Sequence, residues 1–430
     1  MAASRSARTE TKSPPAADGS AGKKVVSASR ARFLKVMSDP VPIPEEGIAR
    51  AVEILRTGRP FRYGEDTGGG SEASRFEAEF AEFIGRRYAV GVSSCGCSLF
   101  LALRALGARP GDPVLCNAFT LAPVPGAIVH ADCRAVMVDI GEDLWIDAGD
   151  LAAKIRASDA RILMLSHMRG HFGDLPAIME ICRRQGVRVI EDCAHTLGAR
   201  WDGRLVGSFG DVSCFSSQSF KHLNSGEGGI VATDDPEIAA RVILMSGSYM
   251  MYGQHGARPP LEAFEAMRDS TPNFSMRMTD IDAALLRPQL KALGGWIATM
   301  NRCYALLEAG MASVPHLRPI PRHSREAYAG SSIQFAVEGL DPATTARFVA
   351  EAKDHGVFLK WFGASRTEGF TSRYDQWKYL GAGSSCPTAD RILAGLMDMR
   401  ISVSFDAQDC RTIIAVLREA IAAALAGRSR

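Results

Sequence analysis

Residues 191–235 read EDCAHTLGARWDGRLVGSFGDVSCFSSQSFKHLNSGEGGIVATDD. Two short apolar runs, DVSCFS (211–216) and GGIVAT (228–233), have the length and composition of buried strands. Helices separate most of the other strand-like runs in the chain, but none fits between these two. A polar, glycine-bearing stretch containing Lys221 joins them instead. A lone lysine is most often a solvated surface charge. Here Phe215 and Phe220 make the flanks apolar, and Gly226, Gly228 and Gly229 permit close backbone approach. A desolvated lysine loses its proton more easily and can form an imine with a carbonyl. Ser216, five residues earlier, can donate to a phosphate. Just upstream, the run VRVIED (187–192) ends on Glu191-Asp192. An acid at a strand end is often a helix cap or a metal ligand. Its functional reading is an anion beneath a cofactor ring, where it would keep a pyridine nitrogen protonated.

Outward from this segment the chain alternates between strand and helix patterns. YAVGV (88–92), PVLCNAF (113–119), AVMVDI (135–140) and RILMLSH (161–167) bring the strand-like runs to seven, with helical patterns such as SLFLALRALG (98–107) and LPAIMEICRRQG (175–186) between most of them. Near-continuous apolar strands alternating with amphipathic helices imply a mainly parallel sheet covered on both faces. Chemistry in such sheets gathers at the carboxyl ends of the strands. There SSCGCSLF (93–100) turns from strand to helix. Gly96 permits the tight turn, and the amides of Cys97 and Ser98 at a helix N-terminus favour a phosphate. Phe119 can stack on a flat heterocycle or serve as a core aromatic. A phosphate site, a partner for a ring nitrogen, a stacking face and an imine-forming lysine together are what pyridoxal phosphate needs from a protein.

After Asp280 a long helical pattern (281–311) leads into a fresh set of runs: SIQFAVEG (332–339), ATTARFVAEAKDHG (343–356), MRISVSF (399–405) and CRTIIAVLREAIAAALAG (410–427). They predict a smaller C-terminal α/β domain over 296–430, after a large domain over 41–295. Residues 1–40 are rich in Ala, Ser, Lys and Arg and poor in large apolar residues, the composition of a disordered tail. Among 430 residues, 46% are apolar and 23% charged, enough for a sizeable core. The net charge of +2 points to neither nucleic acid nor an acidic membrane surface. No apolar run approaches the roughly 20 residues that cross a bilayer, and no secretory leader is read at the N-terminus. The ten cysteines include no spaced CxxC pair, and the lone Cys95-x-Cys97 has no second ligand pair in reach, so no metal is expected. A reducing cytoplasm follows.

The 191–235 stretch resembles the signature of the DegT/DnrJ/EryC1/StrS family, as do FEAEFAEFIGRRYAVGVSS (76–94), SHMRGHFGD (166–174) and RMTDIDAALLRPQLKAL (277–293). These are fold-type I pyridoxal-phosphate enzymes, best known as aminotransferases of keto sugars or cyclitols, and the similarity runs from about residue 42 to the C-terminus. The resemblance implies an α/β fold-type I transferase with a seven-stranded large domain. It makes Lys221 the Schiff-base lysine, Asp192 the partner of the pyridine nitrogen and Ser216 a phosphate ligand. Gly96, Cys97 and Ser98 then fall in the phosphate loop, and Phe119 at the ring-stacking position. His195 stands where the family usually has Gln, near the cofactor's phenolic oxygen, and His222 where it usually has Asn. Gly96-Cys97 replaces the usual Gly-Thr. The family's Asn that reaches the neighbouring subunit's phosphate is displaced: Asn273 lies two residues early and Ser275 holds the aligned place. The loop 246–260, with Tyr249, Tyr252 and His255, looks longer and more aromatic than usual.

A homodimer with shared sites is the implied assembly, and transfer of an amino group from Glu or Gln to a keto acceptor the implied reaction. A dehydratase, lyase or oxidase on the same scaffold is the alternative, and a non-catalytic binding protein the second. His167 and His171 flank a turn facing the site and are read equally well as structural histidines.

Overall fold

Seven strands build the central sheet of the computed structural model, which describes residues 30–63, 70–369, 372–381 and 385–427. They are β1 (Tyr88–Val92), β2 (Pro113–Asn117), β3 (Arg134–Val138), β4 (Ile162–Ser166), β5 (Arg188–Asp192), β8 (Val212–Ser216) and β9 (Gly229–Thr233); two short strands, β6 (Arg200–Trp201) and β7 (Arg204–Leu205), intervene. All seven coincide with the apolar runs read from the sequence. Their spatial order is β1-β9-β8-β5-β4-β2-β3. Only β9 runs against the rest, because the Lys221 stretch returns the chain directly beside β8 instead of crossing over through a helix.

Helices cover both faces. Cys95–Ala105, Pro123–His130 and Pro236–Ser246 pack on one side. Glu72–Ile84, Ala148–Ser158 and Leu175–Arg184 pack on the other. Five of these six start at a side-chain cap, Ser71, Ser94, Asp147, Asp174 or Asp235, each accepting a first-turn amide, and Pro123–His130 has none.

The helix Asp280–Met311 joins this sheet to a second one. Its first half buries Ala283, Leu286, Leu290 and Leu293 against the large sheet's core. Its second half buries Met300, Cys303, Tyr304, Leu307 and Met311 under the smaller sheet. The boundary expected near residue 296 falls inside this one continuous helix, beside Gly294 and Gly295. The smaller sheet is antiparallel and runs β10 (Leu317–Pro319), β12 (Ser332–Val337), β14 (Leu396–Arg400), β13 (Lys360–Trp361). A further short strand, β11 (Glu326–Ala327), pairs with β6.

Two expectations change. The strand expected over 399–405 is displaced to 396–400, because Asp398 interrupts the apolar run in sequence yet is buried in the structure, with Gln334 and Arg169 as its partners. The tail expected through residue 40 ends earlier. Phe33 and Met37 are buried in the smaller sheet's core, Phe33 N donates to the His355 carbonyl at 2.8 Å, and Phe33 meets Phe405 edge to face. Residues 1–29 of that expected tail lie outside the described residues.

Candidate active site

The parallel register places Asp192 and Ser166, the last residues of β5 and β4, side by side at the carboxyl edge of the sheet. Ser166 Oγ donates to Asp192 Oδ2 at 3.1 Å, and Ala194 N donates to Oδ1 at 3.1 Å. Strand alternation sends the neighbouring Glu191 to the opposite face. There its oxygens accept from the amides of Gly207, Phe209 and Gly210, and His167 Nε2 lies 3.1 Å away. The two acids thus separate into a clamp, Glu191, and a site residue, Asp192. His167, Glu191 and Cys193 form a buried donor cluster, but Glu191 is committed to those amides.

Lys221 sits on the excursion between β8 and β9. The loop is held by Ser217 N to Gly228 O, Ser219 N to Gly226 O and Ser225 N to Ser217 O. Gly226 has φ +86, and Gly229 packs so closely on the cap of the Cys95–Ala105 helix that a Cβ there would stand 2.3 Å from the Ser94 carbonyl oxygen. This contact joins the lysine loop to the strand-to-helix turn. Lys221 Nζ lies 2.8 Å from His195 Nε2. Burial, then the guanidinium groups of Arg169 and Arg400, push its ammonium down to about 7. Burial and the same cations hold His195 well below the usual imidazole range. Burial raises the Asp192 carboxyl, opposed by the Ala194 amide and the Lys221 charge.

The remaining candidates divide. Ser216 ends β8, buried, and accepts from Gln218 N at 3.3 Å. At the helix start, Cys97 N donates to the capping Ser94 Oγ at 3.1 Å and Ser98 N to Ser94 O at 3.0 Å, while Ser98 Oγ turns onto Cys95 O at 2.7 Å. Gly96 occupies the second position of that first turn. Cys95 Sγ stands 4.0 Å from Asp192 Oδ1, which ties this turn to the acid. Phe119 is almost wholly buried and meets Phe362 edge to face at 5.5 Å. Asn273 lies at the surface, its Oδ1 accepting from Ser275 N at 2.8 Å, and Ser275 has a left-handed φ of +56.

His222 is buried beside Arg400, and burial pushes it down to about 3. His255 belongs to a buried network with Glu77 and Tyr63. Tyr252 stacks on Phe264 at 4.7 Å, whereas Tyr249 is exposed under the Arg277 guanidinium. His171 Nε2 lies 2.9 Å from Gln334 Oε1. Three charged residues near Lys221 were not singled out from the sequence: Arg169, Asp398 and Arg400. The only sequence signal was the position of Arg169 inside SHMRGHFGD.

The donor set fits pyridoxal phosphate. A half-buried amine with a near-neutral pKa is ready to attack an aldehyde. A buried carboxylate displaced upward by desolvation suits a protonated pyridine nitrogen. The fold is that of the fold-type I pyridoxal-phosphate transferases. A crystal structure of 3-amino-5-hydroxybenzoic acid synthase superposes with a TM-score of 0.77 over 92% of this chain and 100% of that one, at 24% identity. Residues 48–418 match the DegT/DnrJ/EryC1/StrS aminotransferase family, and the chain belongs to it.

Among curated relatives, the spore coat polysaccharide biosynthesis protein SpsC of Bacillus subtilis is 35% identical over 258 residues, 58% of this chain and 62% of SpsC. A putative L-glutamine:3-amino-2,3-dideoxy-scyllo-inosose aminotransferase of Streptoalloteichus tenebrarius is 31% identical over 306 residues, 68% of this chain and 70% of that protein. The chain therefore spans about six-tenths of the length of SpsC that it matches.

Proposed function

We infer that this chain is a pyridoxal 5'-phosphate-dependent aminotransferase that moves an amino group from an amino acid, Glu or Gln, to a keto acceptor such as a keto sugar or cyclitol. The observation that carries the reading is Lys221: a half-buried amine 2.8 Å from His195, depressed to about 7, on a loop packed against a helix N-terminus. Membership of the aminotransferase family supports it. So do relatives named for amino sugar and aminocyclitol formation, such as the dTDP-3-amino-3,4,6-trideoxy-alpha-D-glucose transaminase of Streptomyces venezuelae, 33% identical over 247 residues. Secondary-metabolite or polysaccharide biosynthesis is the setting those names suggest.

When bound, the cofactor supplies an electron-accepting ring conjugated to the carbon that loses its proton. Lys221 would hold the cofactor through Nζ. Its Nζ, about half neutral at pH 7, would then be the base that moves a proton at the substrate Cα. Asp192 would keep the ring nitrogen protonated, and Ser166 and the Ala194 amide fix its carboxylate. His195, 2.8 Å from Nζ, would orient it toward the cofactor's phenolic oxygen. Ser216, with the Gly96-Cys97-Ser98 turn, would take the phosphate, and Phe119 would serve as the stacking face for the ring. Asn273 would reach the phosphate of a second copy, and the working unit would then be a homodimer. The ten cysteines are all free and suit a reducing cytoplasm, and among the described residues no helix is long and apolar enough to cross a membrane.

The test follows the visible absorbance of the bound cofactor. L-glutamate or L-glutamine should bleach it and yield one 2-oxo acid per pyridoxamine phosphate formed, and the right keto acceptor should restore it. Catalytic release of carbon dioxide or ammonia with no pyridoxamine phosphate would replace this reading by a lyase or oxidase.

A further inference from the structure

Cys303 and Cys410 are 107 residues apart in sequence and meet between two helices of the smaller sheet's core. Cys303 lies in the second half of the helix Asp280–Met311, and Cys410 near the start of the C-terminal helix Ala407–Ala426. The two helices run side by side in the same direction. Gly310 stands so close to the second helix that a Cβ there would lie 2.5 Å from Ile414 Cγ1, and Arg418 Nη2 donates to Ser313 Oγ at 3.0 Å. Upstream of these contacts, Cys410 Sγ donates to the Cys303 carbonyl at 3.8 Å, and Cys303 Sγ to the Phe405 carbonyl at 3.4 Å. The two thiols also touch each other. Burial raises both, Cys410 to about 12, and their mutual hydrogen bond raises Cys410 further while holding Cys303 back.

Both are free thiols, 3% and 1% exposed. A buried free cysteine by itself reads as a small core residue. Two features go beyond that. Thiols in contact across two backbones already held together can join with little movement, since a bridge needs Cα atoms within about 7 Å. A surface groove of about 250 Å³ also runs between the same two helices, lined by Leu306, Gly310, Arg411 and Ile414 as well as by Cys410 itself. A molecule the size of hydrogen peroxide enters such a groove, whereas the thiol of a second protein does not.

We propose that Cys303 and Cys410 are a modification site at which a hydroperoxide forms a disulfide, tying the helix that joins the two sheets to the C-terminal helix. The Cys303 sulfur attacks one oxygen of hydrogen peroxide: an S–O bond forms, the O–O bond breaks, and one water leaves. The Cys410 sulfur then attacks the sulfenic acid: the S–S bond forms, the S–O bond breaks, and the hydroxide leaves as water with the Cys410 proton. Two thiols are oxidised and one peroxide is reduced to two waters; a dithiol reverses the bond. The loop so closed contains every strand of the smaller sheet, β10 to β14, between residues 317 and 400. A cross-link across so long a loop removes much of the unfolded chain's freedom. Neither cysteine is among the residues assigned to the cofactor, so oxidation stiffens the smaller domain and spares that site.

The test exposes the holoenzyme to a slight molar excess of hydrogen peroxide, blocks the remaining thiols with N-ethylmaleimide in denaturant, and reads the non-reduced peptides by mass spectrometry. The peptides carrying Cys303 and Cys410 should appear joined, two hydrogen atoms lighter than their sum, and separate on dithiothreitol. The thermal midpoint of the oxidised protein should rise by roughly 5–10 °C and return on reduction. Cys303→Ala and Cys410→Ala should each lose both the linked peptide and the rise. Maleimide found on Cys303 and Cys410 after other cysteines have been oxidised overturns the proposal. So does either sulfur joined to a different cysteine, or oxidation that stops at a sulfinic acid. A linked pair with an unchanged or lowered midpoint overturns the stiffening of the smaller domain. Should an alanine variant fail to fold, the wild-type peptide map and its reversal by dithiothreitol decide the matter.

Discussion

Gly229→Ala tests the contact that joins the lysine loop to the turn assigned to the phosphate. The added Cβ would stand 2.3 Å from the Ser94 carbonyl oxygen, 2.4 Å from its carbon and 2.7 Å from Cys95 N. All three are backbone atoms, and ordinary contact needs about 3.5 Å, so β9 and the helix start must separate by roughly 1 Å. β9 cannot yield alone, because Gly229 is paired with Val92 on one side and Ser216 on the other. Overpacking against rigid backbone places the cost near the upper end of the usual range, about 3 kcal/mol. Two companion variants calibrate it. A Cβ at Gly226 meets nothing within 4 Å but sits at φ +86, so Gly226→Ala should cost about 1–2 kcal/mol through conformation alone. A Cβ at Gly96 meets only Ser94 Oγ at 3.7 Å, inside a helix, so Gly96→Ala should be neutral or stabilising by about 0.5–1 kcal/mol. Urea unfolding should therefore order the midpoints Gly229→Ala, Gly226→Ala, wild type, Gly96→Ala from lowest to highest. Equilibrium dialysis should show cofactor affinity reduced on the order of tenfold or more in Gly229→Ala, because the turn is displaced. A Gly229→Ala protein within about 0.5 kcal/mol of wild type, with unchanged cofactor affinity, would refute the packing argument.

Borohydride should fix the cofactor on the peptide carrying Lys221, and Lys221→Ala should lack the visible absorbance; a label on another lysine would end the assignment. Only the neutral amine attacks the aldehyde, so the rate of cofactor attachment should rise with pH to a half-point near 7, where an ordinary lysine would reach it near 10.5. Arg400→Gln removes a like charge and should move that half-point upward. A wild-type half-point above about 9 contradicts the desolvated amine. Asp192→Asn should slow transamination on the order of 10²-fold or more while the cofactor stays attached, as loss of a fixed electrostatic partner does; full activity would remove Asp192 from its role. Light scattering should find a dimer at working concentration, and an active monomer would exclude sites shared between copies.

Much of the fold is local and therefore readable along the chain. Each central strand is a short apolar run because it is buried on both faces, and the absence of a helix between 216 and 228 marks the place where the chain doubles back with Lys221. Asp192 is recognisable because an acid ending such a run lies at the carboxyl edge of a sheet.

Tertiary structure decided what depends on partners distant in sequence. Asp398 looks like the end of an apolar run until Gln334 and Arg169 bury it, and this shifted a strand by three residues. Phe33 and Met37 look like isolated apolar residues in a polar tail until the smaller sheet supplies a core for them. Glu191 and Asp192 are adjacent in sequence, yet one serves the scaffold and the other faces the lysine, because successive side chains on a strand point to opposite faces. Arg400 carries no mark of function in the sequence and Arg169 only its place inside SHMRGHFGD, since a charge reads as a solvated surface group until folding removes the solvent. Their convergence on Lys221 belongs to the assembled molecule: burial strengthens electrostatics between groups that no local pattern could bring together.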